Sequence, residues 1–103
     1  MKIFFQGGLE QYFLNKSDIE ISEETIKSEK IRNLHDLIIF LITNYRACAS
    51  SLFRKNNNKE GFYELSPGHL CFINDVDYEV LKMYDTDLNK NDSIYFISTM
   101  HGG

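Results

Sequence analysis

The most regular pattern of apolar and polar positions lies in the middle of the chain. Leu34, Leu37, Ile38, Leu41, Ile42 and Tyr45 recur at i, i+3, i+4, i+7, i+8 and i+11, one continuous apolar stripe on an α-helix. Ile39 and Phe40 widen the stripe, so one flank of the helix is also expected to be covered. Asn33 is suited to cap its N-terminus, because a side-chain oxygen there can accept from a free backbone N–H. Asp36 adds negative charge in the first turn, where the helix dipole favours it. The helix is expected to run to about Arg46. Burying its stripe contributes on the order of 10 kcal/mol in gross transfer terms, before chain entropy is subtracted. Such a helix has to pack on a sheet.

The flanking patterns supply that sheet. Lys2–Gln6 has β-branched and aromatic character, and Gly7-Gly8 marks a turn or bulge. A second apolar run, Leu9–Leu14, is followed by a turn at Asn15-Lys16-Ser17 and by Asp18–Ile21, which alternates as a half-buried strand does. These two segments predict an N-terminal hairpin. Ser22–Lys30 is polar and reads as the connection into the helix. Beyond it, Ala47–Phe53 extends or follows the helix, and the Asn-rich stretch Arg54–Gly61 reads as a mobile, solvated loop. Phe62–Leu65 re-enters the globule and Ser66-Pro67-Gly68 is a turn. His69–Ile73 is a nearly all-apolar strand suited to the interior of a sheet. Asn74-Asp75 turns the chain, Tyr78–Leu81 reads as a short strand, and Ser93–Ser98 as the last one. Asn91 is suited to a positive φ before that strand. The order predicts an α+β roll, a mixed sheet with one main helix on its face.

Composition narrows the function classes. A chain of 103 residues holds one modest core. The formal net charge of −4 disfavours a nucleic-acid or anionic-membrane surface, since the overall field repels phosphates. No run approaches a membrane span, and the apolar start Met1–Phe5 is too short for a secretory signal, so a cytosolic or nuclear protein is expected. Cys48 and Cys71 lie far apart with no CxxC pair and no His at ligand spacing, so no zinc site is expected and both read as buried structural residues. His35, His69 and His101 are scattered, and nothing in their spacing suggests an enzyme active site.

The chain closes on Ser98-Thr99-Met100-His101-Gly102-Gly103. Glycines there pack nothing, but they leave no Cβ to block a bare carboxylate from threading a narrow slot. A frayed terminus is the alternative.

Ser66-Pro67-Gly68 with Leu70, the run Ile73-Asn74-Asp75, then Asp77-Tyr78-Glu79, and Asp92-Ser93-Ile94 through Phe96 to Gly103 resemble the ubiquitin-related modifier family. Gly7-Gly8-Leu9 and the helix start Leu34-His35-Asp36-Leu37 fit as well, so the resemblance spans nearly the whole chain. The sequence departs from the family at Met100, where Leu is usual, at Tyr78, where Trp is usual, at Asn91, where Gly is common, and in a longer, more polar Asn-rich loop.

The resemblance implies a β-grasp (ubiquitin-like) fold, with residues 1–103 as one domain ending in a flexible tail from about residue 99. It also implies a ubiquitin-like sulfur carrier that is a co-substrate, not an enzyme, and binds no cofactor itself. An activating enzyme with adenylyltransferase and rhodanese-like domains would use ATP to adenylate Gly103 and convert it to a thiocarboxylate. A tRNA thiolation enzyme complex would pass that sulfur to wobble uridine. The same terminus would be conjugated to lysines of target proteins. Thr99, Met100, His101 and Gly102 are the expected tail-recognition residues. His101, with no orienting partner near it in sequence, is expected to serve recognition, not acid–base catalysis. A monomer with no direct nucleic-acid or membrane contact is expected. The alternatives are a sulfur-carrier subunit for molybdopterin or thiazole biosynthesis, and a β-grasp interaction module whose terminus does nothing.

Alternation on the last strand puts Ile94 and Phe96 on one face, expected to cover the helix, and Tyr95 and Ile97 on the other. In a β-grasp sheet His69–Ile73 would lie alongside, so Leu70 and Phe72 could complete an exposed apolar patch for a partner. An all-apolar strand does not fix its own parity, and the reverse, with Cys71 and Ile73 outside, stays open.

Overall fold

The structure, a computed structural model, describes residues 1–100. Strand β1 (Lys2–Gln6) lies next to the centre of a five-stranded mixed sheet. On one side it pairs antiparallel with β2 (Asp18–Glu20), and on the other it runs parallel to the last strand (Ser93–Ser98). Two helices follow β2, namely α1 (Glu23–Ser28) and α2 (Leu34–Asn44). A small separate hairpin, β3 (Phe53–Lys55) with β4 (Tyr63–Leu65), precedes β5 (His69–Ile73) and β6 (Val76–Asp77). With Ser93–Ser98 as β7, the sheet order is β2-β1-β7-β5-β6. This is the α+β, β-grasp arrangement that the sequence predicts.

The helix forms as its pattern requires. Asn33 Oδ1 accepts from the Asp36 N–H at 2.8 Å, and Asp36 Oδ2 accepts from the Arg32 N–H at 3.0 Å. The first bond satisfies a donor that a helix start leaves free, and the second ties Arg32, ahead of the cap, to the first turn. Leu34, Leu37, Ile38 and Leu41 are fully buried, whereas Ile42, Tyr45, Ile39 and Phe40 are half-buried and line the flanks. The helix ends at Asn44, short of Arg46, and Arg46–Ala49 winds into a 3-10 turn. The buried face of α2 meets Ile3 and Phe5 of β1, Ile94 and Phe96 of β7, and Cys71 and Ile73 of β5 in one apolar cluster. Cys48 and Cys71 are buried in it, and burial pushes the Cys48 thiol up to about 12 and the Cys71 thiol up as well. Such thiols are poor nucleophiles at neutral pH.

Several local expectations are corrected. The hairpin partner of Asp18–Glu20 is β1, not Leu9–Leu14. Leu9–Tyr12 instead forms a 3-10 turn that drops Leu9 and Phe13 into the core, with Phe13 stacked on Phe5. Ser22–Lys30 is not a plain connection, because Ser22 Oγ accepts from the Thr25 N–H and starts α1. Tyr78–Val80 is a 3-10 turn, and the short strand lies earlier, at Val76–Asp77. The positive φ falls at Asn74 (50°) and Asp75 (68°), not at Asn91. Those two residues close the tight β5–β6 turn, where strand twist favours both central residues on the left-handed side. The turn before β7 is held by Asp92, whose Oδ2 accepts from the Asn89 N–H.

The β3–β4 hairpin is fastened to α2 through His35. Its ring stacks on Phe62, centroids 4.1 Å apart, and its Nε2 accepts from the Tyr63 N–H at 3.2 Å. That bond requires a neutral imidazole. Burial lowers the His35 pKa; Asp36 and Asp85 oppose this and the Lys59 cation adds to it. A depressed folded-state pKa means the unfolded chain binds the proton more readily, so stability falls as pH drops below the ordinary value of 6.5. The urea midpoint is expected to fall between pH 7.5 and about 5.5. His35→Asn is expected to flatten that slope and to cost about 1 kcal/mol at neutral pH from the lost bond. An unchanged slope in the variant would remove His35 as its source.

Candidate docking face and tail exit

Strand β7 sits between β1 and β5 and carries the chain toward its C-terminus. Ile94 and Phe96 are fully buried against the helix side, which leaves Tyr95 and Ile97 on the opposite face. The register places Tyr95 between Phe4 of β1 and Phe72 of β5, and Ile97 between Gln6 and Leu70. Cys71 and Ile73 are buried, so the parity of β5 is settled. Leu70, 36% exposed, and Phe72, half-buried, share the open face with Tyr95 and Ile97.

The face is built from stacked and paired side chains. Phe4 lies on Tyr95 with centroids 4.5 Å apart and rings 13° from parallel. A shallow groove of ≈ 380 Å³ is lined by Gln6, Phe72, Asp75, Tyr95 and Ile97. Phe4 and Gln6 were not among the residues the sequence singled out. Alternation within Lys2–Gln6 was the available signal, since Ile3 and Phe5 point into the core and Phe4 therefore points away.

Two glycines shape the point where the chain leaves the sheet. A Cβ on Gly7 would lie 2.4 Å from the Ser98 carbonyl oxygen, so only glycine lets β1 end this close to β7. Gly68, at φ +85°, sits under Met100, and a Cβ there would meet the Met100 sulfur at 2.8 Å. The Gly68 carbonyl accepts from both the backbone N–H and the hydroxyl of Thr99, each at 2.9 Å. Met100 N–H donates to Ser98 Oγ at 3.2 Å, and Met100 is 54% exposed. Thr99 and Met100 are thus brought beside the Ser66-Pro67-Gly68 turn. In the sequence Gly7 and Gly68 are legible only as turn residues, because the strand they make room for is distant in the chain. His101, Gly102 and Gly103, the other tail positions singled out, lie outside the described residues.

His69 Nδ1 lies 3.0 Å from the Ser66 carbonyl. Among the described residues no group of three or more His, Cys, Asp or Glu is placed to hold a metal ion. No described helix is long and apolar enough to cross a membrane.

Comparison with known proteins agrees with this geometry from end to end. The sequence pattern of the Urm1 (Ubiquitin related modifier) family matches residues 1–103. The chain is 37% identical over 103 residues to a ubiquitin-related modifier 1 homolog of Dictyostelium discoideum, covering 100% of this chain and 98% of that one. It is 31% identical to ubiquitin-related modifier 1 of Encephalitozoon cuniculi, with 100% of both chains covered. Among solved structures, Urm1 from Trypanosoma brucei superposes with a TM-score of 0.73 at 32% identity, covering 99% of this chain and 93% of that one. With its whole length matched in sequence and its sheet matched in space, the chain belongs to the Urm1 (ubiquitin-related modifier) family.

Proposed function

We propose that this chain is a ubiquitin-like sulfur carrier and protein modifier, a co-substrate whose reacting group is the α-carboxylate of Gly103. The observation that carries the reading is the family match over residues 1–103, which takes in the diglycine end. An activating enzyme with adenylyltransferase and rhodanese-like domains joins the Gly103 carboxylate to the α-phosphorus of ATP and releases pyrophosphate. The terminal sulfur of an enzyme persulfide then attacks the acyl carbon and expels AMP, giving an acyl disulfide. A second enzyme thiol cleaves the S–S bond, releasing the thiocarboxylate and leaving an enzyme disulfide. A tRNA thiolation enzyme complex accepts the sulfur for wobble uridine. A lysine amine of a target protein can instead attack the activated carbonyl and form an isopeptide bond.

In this reading the chain works as a monomeric single domain in the cytosol or nucleus, with residues 99–103 as the segment that the activating enzyme reads. Thr99, Met100, His101 and Gly102 guide the terminus into the enzyme, and His101 serves recognition. The face of Leu70, Phe72, Tyr95 and Ile97 is where the activating enzyme docks. Exposed apolar area next to a reacting terminus supports this, since such a surface is costly unless a partner covers it.

Intact-mass measurement tests the proposal. After incubation with the cognate activating enzyme, ATP and a sulfur donor, the mass is expected to rise by the replacement of one oxygen by sulfur. An unchanged mass beside a demonstrably active enzyme would refute it. Tyr95→Ala and Ile97→Asp are each expected to weaken activating-enzyme binding about tenfold, as loss of an interface anchor does, with little change in Tm. Undiminished binding would move the dock elsewhere.

A further inference from the structure

The net negative charge of this protein is concentrated in one segment. Residues 74–92 hold six of the 15 carboxylates, Asp75, Asp77, Glu79, Asp85, Asp87 and Asp92, but only two of the 11 Lys and Arg, Lys82 and Lys90. That excess of four acids equals the formal net charge of the whole chain, and the remaining residues balance at nine of each sign. Asp77 and Asp92 are engaged in local turns, accepting from the Glu79 N–H and from Asn89 N–H and Asn74 Nδ2. Asp75, Glu79, Asp85 and Asp87 form no ion pair among the described residues.

The same segment exposes apolar side chains. Val80 is 77% exposed, and Val76, Leu81 and Met83 are exposed beside it in the chain. Val80 and Leu81 share a shallow groove of ≈ 390 Å³ with Lys82, Thr86 and Asp87. Met83 holds φ at 50°, a left-handed conformation that is strained for a non-glycine residue. Its side chain is 44% exposed. The buried Thr86 fixes this arrangement: its hydroxyl accepts from the Lys82 N–H at 3.0 Å, and its N–H donates to the Met83 carbonyl at 3.2 Å. The Thr86 carbonyl accepts from the Leu34 N–H, tying the segment to the start of α2. An apolar surface held rigid before contact loses less entropy on binding.

The Val80–Leu81 groove shares no lining residue with the groove of Tyr95 and Ile97, to which this segment contributes only Asp75. Val76 pairs with Ile73, whose side chain is buried on the helix side of the sheet, while Tyr95 and Ile97 open on the other.

We infer that the Val80–Leu81 groove, with Asp87 in its lining and Glu79 next to Val80 in the chain, docks the enzyme that accepts sulfur for transfer to tRNA, an inference that rests on the sulfur-carrier reading. An enzyme that holds a polyanionic tRNA must present cationic surface, and an apolar groove in a net acidic segment complements such a surface while it repels the tRNA phosphates themselves.

The test uses the full chain, its purified activating enzyme and its purified tRNA-thiolating enzyme. Glu79→Lys with Asp87→Lys, and separately Val80→Ser, are expected to weaken binding to the thiolating enzyme about tenfold or more, with added salt weakening the wild-type complex. Thiocarboxylate yield with the activating enzyme is expected to match wild type. Wild-type affinity in both variants, no binding by the wild-type chain, or an equal loss of loading would each overturn the inference. A wild-type chain that binds the thiolating enzyme in this pattern but is never loaded would sink the sulfur-carrier reading and leave the docking surface standing.

Discussion

Deleting Gly103 is expected to abolish thiocarboxylate formation, below detection by intact mass, while leaving the melting temperature unchanged. The reacting carbon would then belong to Gly102, one residue short. Effective reaction requires the attacked carbon within about 3–3.5 Å of the nucleophile, and one residue of extended chain spans about 3.3 Å. Gly102→Ala keeps the length but adds a Cβ, so loading is expected to fall by about tenfold or more through crowding of the slot, without reaching zero. Loading of the Gly103-deleted chain at the wild-type rate would show that the terminus is not read by position. The fold is expected to be indifferent to both changes, because among the described residues the core cluster draws on none beyond Phe96.

The second large effect separates the two faces of one strand. Ile94→Asp and Phe96→Asp are expected to unfold the protein. Both side chains are fully buried, and Phe96 lies edge-on to Phe53 and near Phe5. An unpaired carboxylate there costs more than about 4 kcal/mol, a large share of the 5–15 kcal/mol that such a domain has. Ile97→Asp, one residue further along on the open face, is expected to stay folded within about 1 kcal/mol of wild type. Far-ultraviolet circular dichroism and thermal melting decide the matter. A folded Ile94→Asp protein beside an unfolded Ile97→Asp protein would mean that the faces are assigned the wrong way round.

What could be read along the chain was whatever depends on near neighbours. The i, i+3, i+4 stripe from Leu34 to Tyr45 locates α2, and Asn33 with Asp36 locates its start, because helix bonds and caps join residues three or four apart. Alternation in Ser93–Ser98 divides Ile94 and Phe96 from Tyr95 and Ile97, since successive side chains on a strand point oppositely. Ser22–Lys30 carried its cap at Ser22, but its six-residue helix has no fully buried residue and so no stripe to announce it.

Tertiary structure decided the rest. Leu9–Leu14 is apolar enough for a strand, yet Leu9 and Phe13 serve the core from a 3-10 turn because β1 already has β2 and β7 as neighbours. The all-apolar strand His69–Ile73 has no readable parity; only its register against β7 puts Cys71 opposite Phe96 in the core and leaves Leu70 and Phe72 outside. Gly7 and Gly68 gain their role from Ser98 and Met100, each more than 30 residues away along the chain. The sequence alone therefore determined the main helix, the alternation of the last strand, the family resemblance and the terminal diglycine, because these depend on local order. Which side chains share the open face, and how the chain is held as it leaves the sheet, depended on contacts between distant residues, and those exist only once the sheet has closed around β7.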